Sequence, residues 1–476
     1  MEAKPSGRAK AHLPRFQLAA ALAPAAAAAM VSGDLSKRPS LMAENTKRVL
    51  VLGAYGFIGA EVVRALRAAG MHVTGLGRSS AQAARVLPGV SFVQGDLLQL
   101  LRPEDWAPLL QDVDAVVNCA GVLQDMAPGE LEAVHHTAIA ALGAACAARG
   151  IAVAQISAAG AGPDAGTEFM RSKGRGDAAL RASGAPLRVL KPGLVIGQNA
   201  YGGTGLLRML AAVPLVQPVA LPDAPVHCIG MADLAAAVAA ALRGDLPHGT
   251  YDLVEDQPQM LAEVLAETRA WLGFAPARRL LRLPGWLLPP VAGCADALGR
   301  LGWRSPLRST AMAEIRSGVR GDPDPYLAAM GQGVVPLNAI YQSLPSGRAQ
   351  RLDARMALLM PVAVAVLSLF WLASGLIGLW QLDTAAKVLM DTRWGGLPAK
   401  ASVLFWSFAD IALGLAILWR PWAARACLGM AGVSLIYLGA ATAVTPQMWA
   451  DPLGPLVKVL PGLLLALITH QLLQER

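Results

Sequence analysis

Apolar positions in this chain follow two different rhythms. Between residues 47 and about 345, short apolar runs alternate with longer alanine- and leucine-rich stretches. The short runs are 49–52, 72–76, 91–94, 115–119, 152–157 and 187–190. Runs of that length with little alternation predict strands buried on both faces, and the stretches between them predict helices. Strand and helix in alternation predict a doubly wound α/β parallel sheet. From about Val213 the alternation loosens, as in a smaller substrate-side lobe. Beyond residue 346 the rhythm changes. Four long apolar stretches follow one another at 356–380, 401–419, 426–445 and 452–473. The first is uncharged over roughly 25 residues, enough to cross a bilayer. The pattern predicts an all-α domain of four transmembrane helices after the α/β domain.

Composition supports this division. The chain has 476 residues, 54% hydrophobic and 16% charged, with mean hydropathy +0.44. That is too apolar for an ordinary water-soluble protein. The net charge of +8 comes without a basic run carrying interleaved aromatics, so nucleic acid is not the expected partner. A lipid bilayer is, because arginines flank the apolar stretches. Arg348, Arg351 and Arg355 precede the first stretch, and Arg420 and Arg425 separate the second from the third. Positive residues stay inside, so the α/β domain and the C-terminus are expected in the cytoplasm, with the spans in the cell inner membrane. The five cysteines form no CxxC pair, so neither a metal site nor a disulfide framework is expected. Residues 1–45 are rich in alanine and basic residues and read as a disordered leader, or as sequence ahead of a true start at Met42. The expected domains are therefore 1–45, 46–345 and 346–476.

The strand at 49–52 ends in Gly53, Gly56 and Gly59, and a helical pattern follows at once. That order is strand, tight turn, helix. Gly53 permits the turn, Gly56 lets a pyrophosphate approach the backbone, and Gly59 lets the helix pack on the strand. Tyr55, Phe57 and Ile58 lie between and beside these glycines and are expected at the dinucleotide. The end of the second strand carries Arg78, Ser79 and Ser80 in place of an acid. An acid there would hold the ribose 2′-hydroxyl, whereas Arg78 would pair with a 2′-phosphate. NADP(H) is therefore expected over NAD(H).

Gly53, Gly56 and Gly59, then Gly95-Asp96-Leu97, then Asn118-Cys119-Ala120-Gly121 resemble the extended and atypical short-chain dehydrogenase/reductases, over about residues 47–345. The resemblance implies that Asp96 and Leu97 flank the adenine and that Ala120 and Gly121 line the nicotinamide-side ribose. It places Pro192 in a segment closing over the nicotinamide. Enzymes of this family carry Tyr-x-x-x-Lys with a serine upstream. The matching residues are Phe169, Lys173 and Ser157, so lysine and serine remain as catalytic candidates and the proton-transferring tyrosine does not. That departure resembles the branch containing the nucleotide-binding accessory subunit of respiratory complex I. The C-terminal segment looks like the DoxX-like membrane family.

Three functions stay open on this reading. One is a membrane-anchored oxidoreductase acting on a lipophilic acceptor such as a quinone. Another is a catalytically silent, cofactor-bound scaffold or redox sensor with a membrane-protein partner. The third is an NAD-dependent epimerase/dehydratase-type enzyme. Within the membrane segment, Asp410 and Lys458 are costly to bury and are expected to pair at similar depth, unless Lys458 snorkels to the interface. The stretch 277–290 mixes arginine with Leu and Trp286, and reads either as an interfacial helix or as a core helix of the lobe.

Overall fold

The structure is a computed structural model describing residues 46–123, 129–303, 305, 307–392, 394–452 and 454–474. The leader read at 1–45 lies outside the described residues. Seven strands build one sheet: β1 (Arg48–Leu52), β2 (His72–Gly77), β3 (Ser91–Gln94), β4 (Ala115–Asn118), β5 (Ala152–Ile156), β6 (Leu187–Pro192) and β7 (Gly249–Leu253). Their order is β7-β6-β5-β4-β1-β2-β3, and every neighbouring pair is parallel. The six expected strands are all present. The edge strand β7 is additional.

Strand β1 shows why the runs are continuous. Val49 and Val51 pack on one face against α1 (Phe57–Ala68). Leu50 and Leu52 pack on the other against α2 (Ala138–Ala147). Burying an aliphatic side chain of this size contributes about 1.5–3 kcal/mol. On the same face as α2 lies α3 (Glu168–Ala182), and α4 (Met231–Arg243) joins α1. The chain leaves β3 and returns to β4 beside β1. That reversal opens a crevice at the carboxyl ends of β1 and β4.

The lobe is built from short strand pairs around a core of Leu207, Val264 and Leu265. The stretch 277–290 is not one helix. It forms β8 (Arg279–Arg282), parallel to Val216–Val219, then a turn at Gly285–Leu287, and then α5 (Leu288–Arg300). Pro284 cannot continue a helix, and Pro289 suits the first turn of one.

Among the described residues three helices are long and apolar enough to cross a membrane: α6 (Arg348–Trp380), α7 (Gly396–Ala416) and α8 (Arg420–Val444). The fourth apolar stretch gives only the 16-residue α9 (Val459–Gln474). Pro452 and Pro455 precede it, and Gly454 sits at φ +58°, so its first residues form turns. Lys458 lies in those turns and is exposed. Asp410 accepts a hydrogen bond from Ser374 Oγ at 2.7 Å. Among the described residues no ion pair joins Asp410 to Lys458; Asp410 faces α6, whereas Lys458 stands before α9. Close packing of α6 on α7 comes from small residues. Ser368 Oγ donates to Gly414 O at 2.7 Å, and a Cβ on Gly375 would stand 2.5 Å from Ser407 O.

Candidate active site

The glycine turn has the geometry its spacing implies. Gly53 has φ +67°, and a Cβ there would stand 2.9 Å from the Ala120 backbone. A Cβ on Gly59 would stand 2.2 Å from Gly53 O, so only glycine lets α1 sit this close. Gly56 donates its N–H to Gly53 O at 2.9 Å. No side chain caps α1, and its first turn has no acid. Its N–H groups and positive dipole end are therefore free for an anion at the sheet's carboxyl edge. Tyr55 lies over Gly77, where a Cβ would be 2.7 Å from the ring, and beside Phe92 with centroids 6.0 Å apart. Phe57 stacks on Tyr201 at 6.3 Å. Ile58 is half-buried beside the α1 core.

At the end of β2, Arg78 is exposed. Ser79 caps the following helix by accepting Gln82 N–H, and Ser80 Oγ donates to Gln94 Oε1 at 2.8 Å. At the end of β3, Asp96 Oδ1 accepts Leu98 N–H at 3.1 Å, and Leu97 is buried.

The β4 end is fixed by Asn118. Its Nδ2 donates to Gln155 Oε1 at 2.8 Å, and its Oδ1 accepts Ala120 N–H at 3.0 Å. A Cβ on Gly121 would lie 3.2 Å from His135 Nε2 and 3.7 Å from Lys173 Nζ. His135 escaped the sequence reading, because a histidine inside a helical pattern carries no motif. It sits in a π-helical turn, Ala133–Thr137, of the kind that often marks functional sites. Its Nε2 accepts Val122 N–H at 3.0 Å, and its Nδ1 lies 2.9 Å from Ser172 Oγ. Ser172 donates its own proton to Phe169 O at 2.9 Å. His135 is therefore neutral, with the proton on Nδ1. Burial, and then the charge of Lys173, push its pKa down to about 2.

Phe169 packs edge-on against His135 at 5.5 Å. Lys173 Nζ lies 5.7 Å over the Phe169 ring and donates to Ile156 O at 3.2 Å. Ser157 Oγ donates to Asp177 Oδ2 at 2.5 Å. Asp177 also escaped the sequence reading; it lies one helical turn after Lys173, and only the fold brings it behind Ser157. Burial raises its pKa, offset in part by Ser157 and Lys173. Its Oδ1 is buried without a hydrogen-bond partner among the described residues. Burial lowers the Lys173 pKa, offset by Asp177. Pro192 closes this side, its carbonyl accepting Ala159 N–H at 2.9 Å. The fold thus gathers Ser157, Lys173, Gly121 and Pro192 near the crevice, adds His135 and Asp177, and leaves Arg78 on the surface.

The NAD(P)H-binding family matches residues 53–243, and the DoxX-like family matches residues 368–467. No curated protein matches the chain. Among solved structures, the Bordetella bronchiseptica enzyme WbmH in complex with NAD+ is 17% identical, covering 66% of this chain and 98% of its own, with TM-score 0.49. The B. bronchiseptica enzyme WbmG in complex with NAD is 17% identical over 66% and 95%, with TM-score 0.49. The Thermus thermophilus UDP-glucose 4-epimerase in complex with NAD is 20% identical over 57% and 98%, with TM-score 0.42.

These likenesses correct two expectations. The dinucleotides named with them are NAD, so NADP(H) is set aside. The expected complex I branch finds no support in the two matching families, NAD(P)H-binding and DoxX-like. The chain joins an NAD(P)H-binding Rossmann domain to a DoxX-like membrane domain.

Proposed function

We propose that the chain is a membrane-anchored, NAD(H)-dependent enzyme of the oxidoreductase or epimerase/dehydratase type. Its working domain is 46–345 and its anchor is 346–476, with 1–45 either a leader or sequence ahead of the true start. The observation that carries this reading is the Ser157–Asp177 hydrogen bond beside an open glycine cradle. Gly53, Gly56 and Gly59, with Tyr55, Phe57 and Ile58, would hold the pyrophosphate. Asp96 and Leu97 would flank the adenine, and Ala120, Gly121, Lys173 and Pro192 the nicotinamide end. A side chain at Gly121 would crowd His135 and Lys173, so the bare backbone there fits a flat ligand.

Bound NAD supplies a hydride acceptor. The chain's own part is the proton. Phe169 cannot move one. Ser157 Oγ takes the proton of a substrate hydroxyl as it passes its own to Asp177 Oδ2, while the carbinol hydrogen leaves as hydride. Burial raises the Asp177 pKa above that of a free carboxylate, which favours its taking up this proton. Reduction runs the same steps backwards. The substrate class is a secondary alcohol or its ketone, a lipophilic one the first to try because the anchor lies in the bilayer; a quinone would instead take one hydride and the proton from Ser157 to give the quinol.

The α/β domain and the C-terminus are placed in the cytoplasm, at the inner membrane. Support comes from Arg420, whose Nη2 reaches Leu473 O at 2.7 Å, so the basic end of α8 and the end of α9 lie on one side.

The test is turnover of NADH or NAD+ by the full chain in nanodiscs, with quinones and nucleotide sugars as candidate substrates. Ser157→Ala and Asp177→Asn should each lower turnover by about 100-fold or more. Unchanged turnover in both would remove them from the reaction. The scaffold reading is favoured by Phe169 itself; tight NADH binding without turnover on any candidate would support it.

A further inference from the structure

The segment from β8 to α5 exposes several large apolar side chains that no described residue covers. Trp286 is 72% exposed, and Leu280 and Leu281 are 44% and 49% exposed. Along α5, Val291 and Leu298 are 42% and 40% exposed, and Leu301 just beyond it 38%. The adjoining stripe of α5 is buried through Leu288, Ala292 and Ala295. Val291 and Leu298 therefore widen the apolar stripe of α5 beyond what the protein covers. Its acid, Asp296, is tied to Arg308 at 2.9 Å. So dense a run of large exposed apolar side chains marks a contact surface.

What covers it is set by where the segment ends. Leu301 O accepts the backbone N–H of Arg420 at 2.9 Å. Trp303 Nε1 donates to Leu418 O at 2.6 Å. Both bonds attach the segment to the junction between α7 and α8, which is an end of the membrane-crossing bundle. At that junction Trp419 and Trp422 stack at 6.2 Å and stay half exposed, with Arg425 lying 5.7 Å from the Trp422 ring. Exposed tryptophan with arginine at a span end is the signature of the headgroup layer. The patch is thus continuous with a surface that already meets lipid.

We propose that β8 and α5 lie in the membrane surface, with Trp286 and the flank of α5 that carries Val291 and Leu298 inserted at the boundary of headgroups and acyl chains. Arg279 and Arg300 are exposed beside the patch and suit anionic headgroups. The lobe is then held against the lipid, not merely tethered to it. This inference is independent of the reaction the crevice performs.

The test uses the full chain in phosphatidylcholine–phosphatidylglycerol liposomes, with a bimane label on the exposed Cys294 of α5. The control carries the label on Ala84→Cys, an exposed position in the helix Ser80–Val86, with Cys294→Ala. Lipids with a doxyl group high on the acyl chain should quench the Cys294 label about twofold more than the control. Aqueous iodide should do the reverse. A second label at Leu298→Cys, with Cys294→Ala, should repeat the pattern. Iodide quenching at Cys294 equal to the control would overturn the proposal. Protection from both quenchers would overturn it too, since protein and not lipid would then cover the face.

Discussion

The sheet and the membrane bundle solve opposite packing problems with one alphabet. In the sheet, Leu50 is 1% exposed and Leu52 fully buried. In the bundle, Leu369 is 67% and Phe370 59% exposed, while Ser368 and Ser407 are buried. Water drives large apolar side chains inward in the first region. Lipid offers them nothing to escape in the second, so small residues fill the helix contacts and large ones face out. Burial of a leucine therefore signals stability only when the region's solvent is known.

The largest effect should come from Gly59→Val, because even a Cβ would overlap Gly53 O at 2.2 Å. About 3 kcal/mol or more of stability should be lost, together with NADH binding, as read by thermal unfolding and titration. Intact binding in this variant would mean that α1 tolerates being moved off β1.

Next in size is the contrast itself. Leu50→Ala should cost about 3 kcal/mol, and Leu369→Ala less than about 0.5 kcal/mol in a nanodisc, because lipid replaces the lost contact. Equal losses would break the comparison.

Gly375→Val should cost about 2 kcal/mol by separating α6 from α7, since a Cβ there meets Ser407 O at 2.5 Å. Accessibility of an engineered cysteine on the α6–α7 seam would report the separation.

The smallest effect sharpens the account of His135. Its native pKa is lowered to about 2 from 6.5. Below the higher value the unfolded chain binds a proton that the native one refuses, so stability falls as pH drops. At about pH 5.5 the loss should be about 1.4 kcal/mol, and His135→Gln should remove that slope. An unchanged slope in the variant would assign it to other groups.

Sequence reading found what continuous patterns encode. Strands β1 to β6 were legible because both their faces are covered, leaving unbroken apolar runs. Strand β7 was not, because Gly249 and Thr250 at its edge are polar or small and resemble a loop. The glycine turn was legible because the backbone contacts at Gly53 and Gly59 need a missing Cβ. His135 and Asp177 were not, because their role comes from the approach of separate elements, α3 and the π-helical turn. The fourth apolar stretch was read too long, since hydropathy alone ignores what Pro452 and Pro455 do to a helix start. The stretch 277–290 misled for the same reason, with Pro284 dividing it.

Nucleotide binding by the full chain in nanodiscs tests the central claim most directly. NADH and NADPH would be titrated by fluorescence energy transfer against wild type and Gly121→Val, whose Cβ would stand 3.2 Å from His135 Nε2. NADH should bind about tenfold more tightly than NADPH, or about 1.4 kcal/mol, and the variant should lose it. Tighter binding of NADPH, or NADH binding unchanged in Gly121→Val, would contradict the assignment of this crevice to NAD.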